Sequence, residues 1–228
     1  MAQAADALPT CAVGPKDCLL VVDVQNDFMR GGALAVADAD AVVPLINQVA
    51  KQFVNVVITQ DWHTPGHASF ASAHPGRTPF ERIALPYGTQ VLWPDHCVQG
   101  TPGAALHEAL DLPQAQLILR KGFHPMIDSY SAFLEADRRT HTGLSGYLAL
   151  RGIDRVFIAG IATDFCVSWT ALDARRFGFA VVVLEDACRA IDTEGSLGAA
   201  WAAMGAAGVE RALCASVQAE PMNSAPPR

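Results

Sequence analysis

The sequence predicts an α/β domain with a doubly wound, mostly parallel six-stranded sheet and helices on both faces. Three observations carry that expectation. Six short apolar runs, four of them rich in β-branched residues, are spread along the 228 residues. Most of them are continuously apolar rather than alternating, as in strands covered on both faces. Helical patterns fill the gaps between them, so strand and helix alternate as in parallel-sheet proteins.

The first run, CLLVVDV (18–24), contains Asp23 near its end, and a helical pattern follows over 38–52. The second, FVNVVITQ (53–60), runs directly into Asp61 and His63. Residues 64–103 fit neither period and are rich in Pro, Gly and His. An irregular stretch of that length in a compact domain is usually functional or disordered, and Trp93 and the histidines favour function. A helix is expected over 104–111, then the third run, AQLILRK (115–121), ending in Lys121. A helical pattern covers 131–151. The fourth run, RVFIAGIA (155–162), enters the turn GIATDFCV (160–167) and a helix over 164–177. Thr163 and Asp164 are the residue types that cap such a helix. The fifth run is FAVVVLEDA (179–187), followed by a helix over 193–207 and the sixth run, ERALCAS (210–216). The expected organisation is an N-terminal arm (1–16), a single domain (17–218) with 64–103 as a metal- and substrate-site insertion, and a flexible tail (219–228).

Composition bounds the function. The net charge of −7 offers no cationic surface for nucleic acid. No apolar run reaches the roughly 18 residues of a membrane span, and the N-terminus lacks the basic start and apolar centre of a secretory signal. Six cysteines (11, 18, 97, 166, 188 and 214) show no CxxC spacing, which fits free thiols in a reducing compartment, hence the cytoplasm. The Ala-rich stretch 195–208 reads better as a helix packed on the sheet than as an interface helix, so homo-oligomerisation is left open.

The strand ends carry the chemistry. In open α/β sheets, ligands bind beyond the carboxyl ends of the strands, and four consecutive runs deliver Asp23, Asp61 with His63, Lys121, and Cys166 to that edge. Each residue has an ordinary reading. Cysteine is commonly buried filler, lysine snorkels out at a sheet edge, and an aspartate in a buried strand can be structural if hydrogen-bonded. Together, a thiol in the first turn of a helix, a carboxylate and an ammonium form a set for nucleophilic catalysis. Asp61 and His63 are two apart and point the same way in an extended segment. With His96 from the insertion they offer two imidazoles and a carboxylate, an open site for one divalent transition metal ion: zinc first, iron or manganese otherwise. His67 and His74 read more readily as loop histidines. Phe28, Trp93 and Tyr130 would line a flat apolar slot for an aromatic ring.

The stretches LLVVDVQNDF, QDWHTPGHASF, WPDHCVQGT, KGFHPMIDSYSAF and GIATDFCV, in that order over about residues 18–190, resemble the motifs of nicotinamidases, members of the isochorismatase-like cysteine hydrolases. The resemblance implies a catalytic triad of Asp23, Lys121 and Cys166, and metal ligands Asp61, His63 and His96, with His67 the nearest match to a further histidine found in some members. It implies a cis peptide between Ile161 and Ala162, an oxyanion hole at the N–H groups of Ala162 and Cys166, and substrate contacts from Phe28, Trp93, Tyr130 and Ile161. Isochorismatases lack the cysteine, and sibling amidases acting on carbamoyl or ureido groups lack the metal set. Both sets are present here, so the implied reaction is hydrolysis of nicotinamide, and of its isostere pyrazinamide, to the acid and ammonia. An amidase acting on another small amide, and a non-catalytic ligand or redox sensor using Cys166, stay open as alternatives.

Overall fold

The computed structural model describes residues 11–220. In chain order the elements are β1 (Cys11–Val13), β2 (Asp17–Val22), α1 (Val42–Val49), β3 (Asn55–Asp61), β4 (Arg82–Leu85), β5 (Gly88–Val91), β6 (Leu117–Lys121), α2 (Leu144–Leu150), β7 (Arg155–Ile161), α3 (Ser168–Arg176), β8 (Ala180–Arg189), α4 (Ser196–Ala206), β9 (Glu210–Ala212) and β10 (Val217–Ala219). Six strands form one sheet in the order β6-β3-β2-β7-β8-β9, and every pairing in it is parallel. The chain moves outward from β2 through β3 to β6, then returns to the other side of β2 with β7. The order therefore reverses between β2 and β7, which makes the carboxyl ends of those strands the expected ligand crevice.

The continuous apolar runs explain the layering. Successive strand side chains point to opposite faces. Leu19 and Val21 of β2, with Phe157, Ala159 and Ile161 of β7, join one core with α1. Cys18, Leu20 and Val22, with Val156 and Ile158, join the other with α2, α3 and α4. Burying one such large aliphatic side chain contributes about 1.5–3 kcal/mol, so a strand covered on both faces is held twice over. One position lets backbone replace side chain. Gly160 has φ +125, and a Cβ there would lie 2.0 Å from the Val22 carbonyl oxygen. Close approach of β7 to β2 at the crevice therefore requires glycine.

Three helix expectations change. Residues 104–111 form turns, with Leu106 bridged to Gln25. Of 131–151 only Leu144–Leu150 is helical. Before it, side chains take over backbone partners: the Ala132 N–H donates to Thr170 Oγ1, the Phe133 N–H to Ser131 Oγ, and Thr142 Oγ1 donates to the Ala132 carbonyl. Hydroxyls in such positions compete with helix formation. The third change is at Thr163–Val167, a single π-helical turn leading into α3, a local form frequent at functional sites. Residues 64–103 are irregular apart from a 3-10 turn at Ala71–Ala73 and the β4–β5 hairpin. Cys11–Val13, inside the expected N-terminal arm, pairs with Val217–Ala219, and the start of the expected tail lies in that partner strand. Residues 1–10 and 221–228 of the arm and tail lie outside the described residues. α4 buries Ala200 and Met204 against the sheet, as a helix packed on it should. No helix among the described residues is long and apolar enough to cross a membrane.

Candidate active site

Asp23 is the first residue beyond β2 and has φ 50, a left-handed conformation that non-glycine residues adopt only where the surroundings impose it. Thr59, buried on β3, imposes it twice. Its hydroxyl accepts the Asp23 N–H at 3.2 Å and donates to Asp23 Oδ1 at 2.6 Å. Asp23 Oδ2 lies 2.8 Å from Lys121 Nζ as an ion pair, with no hydrogen-bond donor aligned on it among the described residues. That oxygen is thus open to a proton.

Lys121, at the end of β6, is fully buried; it does not snorkel. Its ammonium donates to Asp61 Oδ1 at 2.5 Å, to the Ser129 carbonyl at 2.9 Å and to Cys166 Sγ at 3.4 Å. Burial opposes the charge on Lys121, but the Asp23 and Asp61 carboxylates outweigh it and hold the ammonium's pKa well above the usual value. Burial pushes the Asp23 carboxyl upward, with Lys121 pulling the other way. A carboxylate with raised proton affinity is a better general base. Burial also pushes the Cys166 thiol well up, against the pull of Lys121. The raised thiol keeps its proton at rest, and the open Asp23 Oδ2 with the fixed Lys121 ammonium supplies the acceptor and counter-charge for its transfer.

Asp61 faces both ways. Oδ1 takes Lys121, while Oδ2 lies 3.7 Å from His63 Nε2 and 4.0 Å from His96 Nε2. The three groups are buried, with ligand atoms within 4.8 Å of one another. The second nitrogens are already committed: His63 Nδ1 sits 2.9 Å from the Gly122 carbonyl and His96 Nδ1 2.8 Å from the Pro94 carbonyl. Donation to those carbonyls fixes the tautomer that leaves each Nε2 lone pair aimed at Asp61, as metal-ligating histidines are arranged. The donor set fits a divalent transition ion with open positions. His67 is buried, contrary to the loop-surface expectation. Its Nε2 contacts the carbonyls of His124 and Ile127 and its Nδ1 contacts Ser69 Oγ. Nε2 thus holds residues 124–127 and Nδ1 holds Ser69, so His67 supports the site from behind, with its ring 4.5 Å from that of His63. His74 contacts the Ala68 carbonyl.

Between the two groups lies a narrow slot lined by Phe28, Trp93, Tyr130 and Phe165, with Cys166 and Ala162 on one side and Asp61, His63 and His96 on the other. Its volume is about 20 Å³, room for little more than one water. Trp93 Nε1 donates to the Tyr130 hydroxyl at 3.0 Å, and Gln90 Nε2 donates to the same oxygen at 3.1 Å. These bonds lock two aromatic walls. Ile161 stands apart from the slot, packed in the α1-side core, and Ala162 occupies the wall position instead. The Ile161–Ala162 peptide is cis, as expected. Sequence reasoning missed Thr59, Asp128, Phe165 and Ile191 at this site. Thr59 had a signal, since it lies two residues before Asp61 and shares its strand face. Phe165 lies on the π-helical turn beside Cys166, while Asp128 and Ile191 are brought in by loops with no readable period.

A parallel sheet with a thiol, a carboxylate and an ammonium in contact at its switch point defines a class: a doubly wound α/β protein equipped for thiol-dependent hydrolysis. Within that class the chain belongs to the Isochorismatase domain family, which matches residues 17–213. It is 65% identical over 193 residues to a nicotinamidase of Acinetobacter baylyi, covering 85% of this chain and 90% of the relative. Among solved structures it resembles the Acinetobacter baumanii nicotinamidase/pyrazinamidase, at 61% identity and a TM-score of 0.88, over 88% of this chain and 97% of that one. It also resembles the pyrazinamidase of Pyrococcus horikoshii in complex with zinc, at 35% identity and a TM-score of 0.71, over 87% and 99% of the two chains.

Proposed function

We propose that this chain hydrolyses nicotinamide to nicotinate and ammonia, accepts pyrazinamide, and so returns nicotinamide to NAD salvage in the cytoplasm. The observation that carries the reading is the position of Lys121 Nζ, in contact with Asp23, Cys166 and Asp61 at once. It joins a thiol nucleophile to a metal-type ligand set across one aromatic slot.

Asp61 Oδ2, His63 Nε2 and His96 Nε2 would hold one divalent ion, zinc in first place and iron or manganese otherwise. When bound, the ion supplies a Lewis acid for the ring nitrogen and so orients the carboxamide. Phe28, Trp93 and Tyr130 sandwich the ring. Asp23 Oδ2 takes the Cys166 proton, and Sγ attacks the carboxamide carbon. The developing oxyanion is held by the N–H groups of Ala162 and Cys166. Asp23 returns the proton to the departing nitrogen, ammonia leaves, and a thioester remains. Asp23 then takes a proton from water, whose oxygen attacks the thioester carbon. The C–S bond breaks, Asp23 passes its proton back to Cys166 Sγ, and nicotinic acid leaves, losing its remaining proton to solvent as nicotinate. Lys121 keeps the charge of this set balanced throughout.

The test is ammonia and nicotinate release from nicotinamide by the purified protein. Cys166→Ala is expected to lower kcat by at least about 10⁴-fold, as for loss of other covalent nucleophiles. Full activity in that variant would remove the thiol from the mechanism.

A further inference from the structure

Asp164 has the wrong partners for a helix cap. It lies on the π-helical turn, directly before the slot-lining Phe165 and two residues before Cys166. No side chain caps that turn. The buried Asp164 carboxylate instead reaches across to the chain between β8 and α4. Oδ1 accepts the Ile191 N–H at 3.1 Å. Oδ2 accepts the Asp192 N–H at 2.8 Å and the Ser196 hydroxyl at 2.5 Å. Ile191 is itself a wall of the slot, facing Trp93, Ala162 and Phe165.

Other ties on the segment that carries Ile191 are local or apolar: the Thr193 N–H donates to Ser196 Oγ at 2.9 Å, the Leu197 N–H donates to Asp192 Oδ1 at 3.3 Å, and Ile191 packs against the α1-side core. Asp192 and Glu194 take φ 52 and 54, and Gly195 φ 81, conformations that residues with a Cβ hold only when the surroundings impose them. Asp192 and Glu194 are exposed. Among the described residues, the one ion pair tying the segment to the β4–β5 hairpin, Glu194 with Arg82 at 3.1 Å, has both side chains more than half exposed. Pairs of that kind contribute little. Three hydrogen bonds to one buried carboxylate are each stronger, so Asp164 is the stronger of the two ties that reach outside the segment.

We infer that Asp164 is a positioning residue that sets the width of the substrate slot: it clamps the Ile191 wall to the same turn that presents the nucleophile. The ring and the thiol are thereby registered to one carboxylate, so a ring that fits the wall also lies correctly for attack. Asp164 contacts neither Cys166 Sγ nor the metal-type ligands in any hydrogen bond of the described residues, so its effect falls on fit and not on proton transfer. This rests on the nicotinamide reading above.

The experiment measures kcat and KM for nicotinamide and for a set of ring-methylated nicotinamides, in the wild-type protein and in Asp164→Asn, Ser196→Ala and Ile191→Ala, with thermal midpoints alongside. Loss of charge-assisted hydrogen bonds predicts a KM for nicotinamide raised about tenfold in Asp164→Asn, with kcat changed much less. The preference for nicotinamide over its methylated forms should shrink in the same variant, with Ile191→Ala matching it and Ser196→Ala intermediate. A lowered thermal midpoint with KM and preference unchanged would assign Asp164 a purely structural role and overturn the inference. If Asp164→Asn does not fold, Ser196→Ala and Ile191→Ala decide by the same two readouts. Failure of the wild-type protein to hydrolyse nicotinamide would instead reject the underlying functional reading.

Discussion

Lys121 is a fully buried ammonium whose partners are two carboxylates, a thiol and a carbonyl. Removing it strands Asp23 and Asp61 as buried charges of like sign. Lys121→Ala is therefore expected to lose about 3–5 kcal/mol of stability, the usual result of deleting one member of a buried ion pair, together with most of its activity. Urea denaturation and steady-state kinetics would check both, and an unchanged rate would take Lys121 out of the catalytic set. Glu135 makes a different prediction. Burial, then the neighbouring Asp137 and Asp128 carboxylates, push its pKa from 4.5 up to about 7. The folded state therefore binds this proton more tightly than the unfolded state. The associated stability is fully present below about pH 4.5 and is lost as pH rises to about 7. His124 lies 3.7 Å away and is half exposed. Glu135→Gln should flatten that part of the decline, seen as a wild-type-minus-variant difference in Tm across pH 4.5–8.

At the scale of elements, each strand of the crevice ends where its next residue is needed. β6 is the clearest case. Its last residue is Lys121, and Gly122 follows with φ +71, where a Cβ would lie 2.7 Å from the His63 ring. The Gly122 carbonyl is also the partner that fixes the His63 tautomer. Gly122→Ala is thus expected to weaken metal binding by about 10–100-fold, the range seen when the support of a ligating histidine is disturbed. Metal content after dialysis against a buffered chelator would measure it, and an unaltered affinity would show that the strand end yields without disturbing His63. The π-helical turn after β7 is the other decisive element. It frees Asp164 from capping so that it can reach Ile191.

For the whole molecule, the sheet and its two cores stand without help from the metal-type ligands, which lie at one edge of the fold. Chelation is expected to abolish amide hydrolysis while leaving the far-UV circular dichroism spectrum unchanged, with activity restored by added zinc. Full activity in metal-stripped protein would remove the ion from ring orientation. The apolar runs and the helical periods between them made the sheet legible in advance, because a strand buried on both faces must be continuously apolar. The stretches 104–111 and 131–143 misled, because turns and hydroxyl-to-backbone bonds there overrule a weak apolar period.

By itself the sequence determined which chemical groups exist and which strand end carries each of Asp23, Asp61, Lys121 and Cys166, since the order of short runs sets which side chain leaves which strand. Only the tertiary structure decided how those groups meet. Lys121 binds Asp23 and Asp61 together, His67 turns away to carbonyls, Ile161 sinks into the core, and Asp164 clamps a wall 27 residues downstream. The reason is that a side chain's partner depends on which segments the sheet order and loop turns bring within hydrogen-bond reach, about 3 Å, and local periodicity carries no information about that distance.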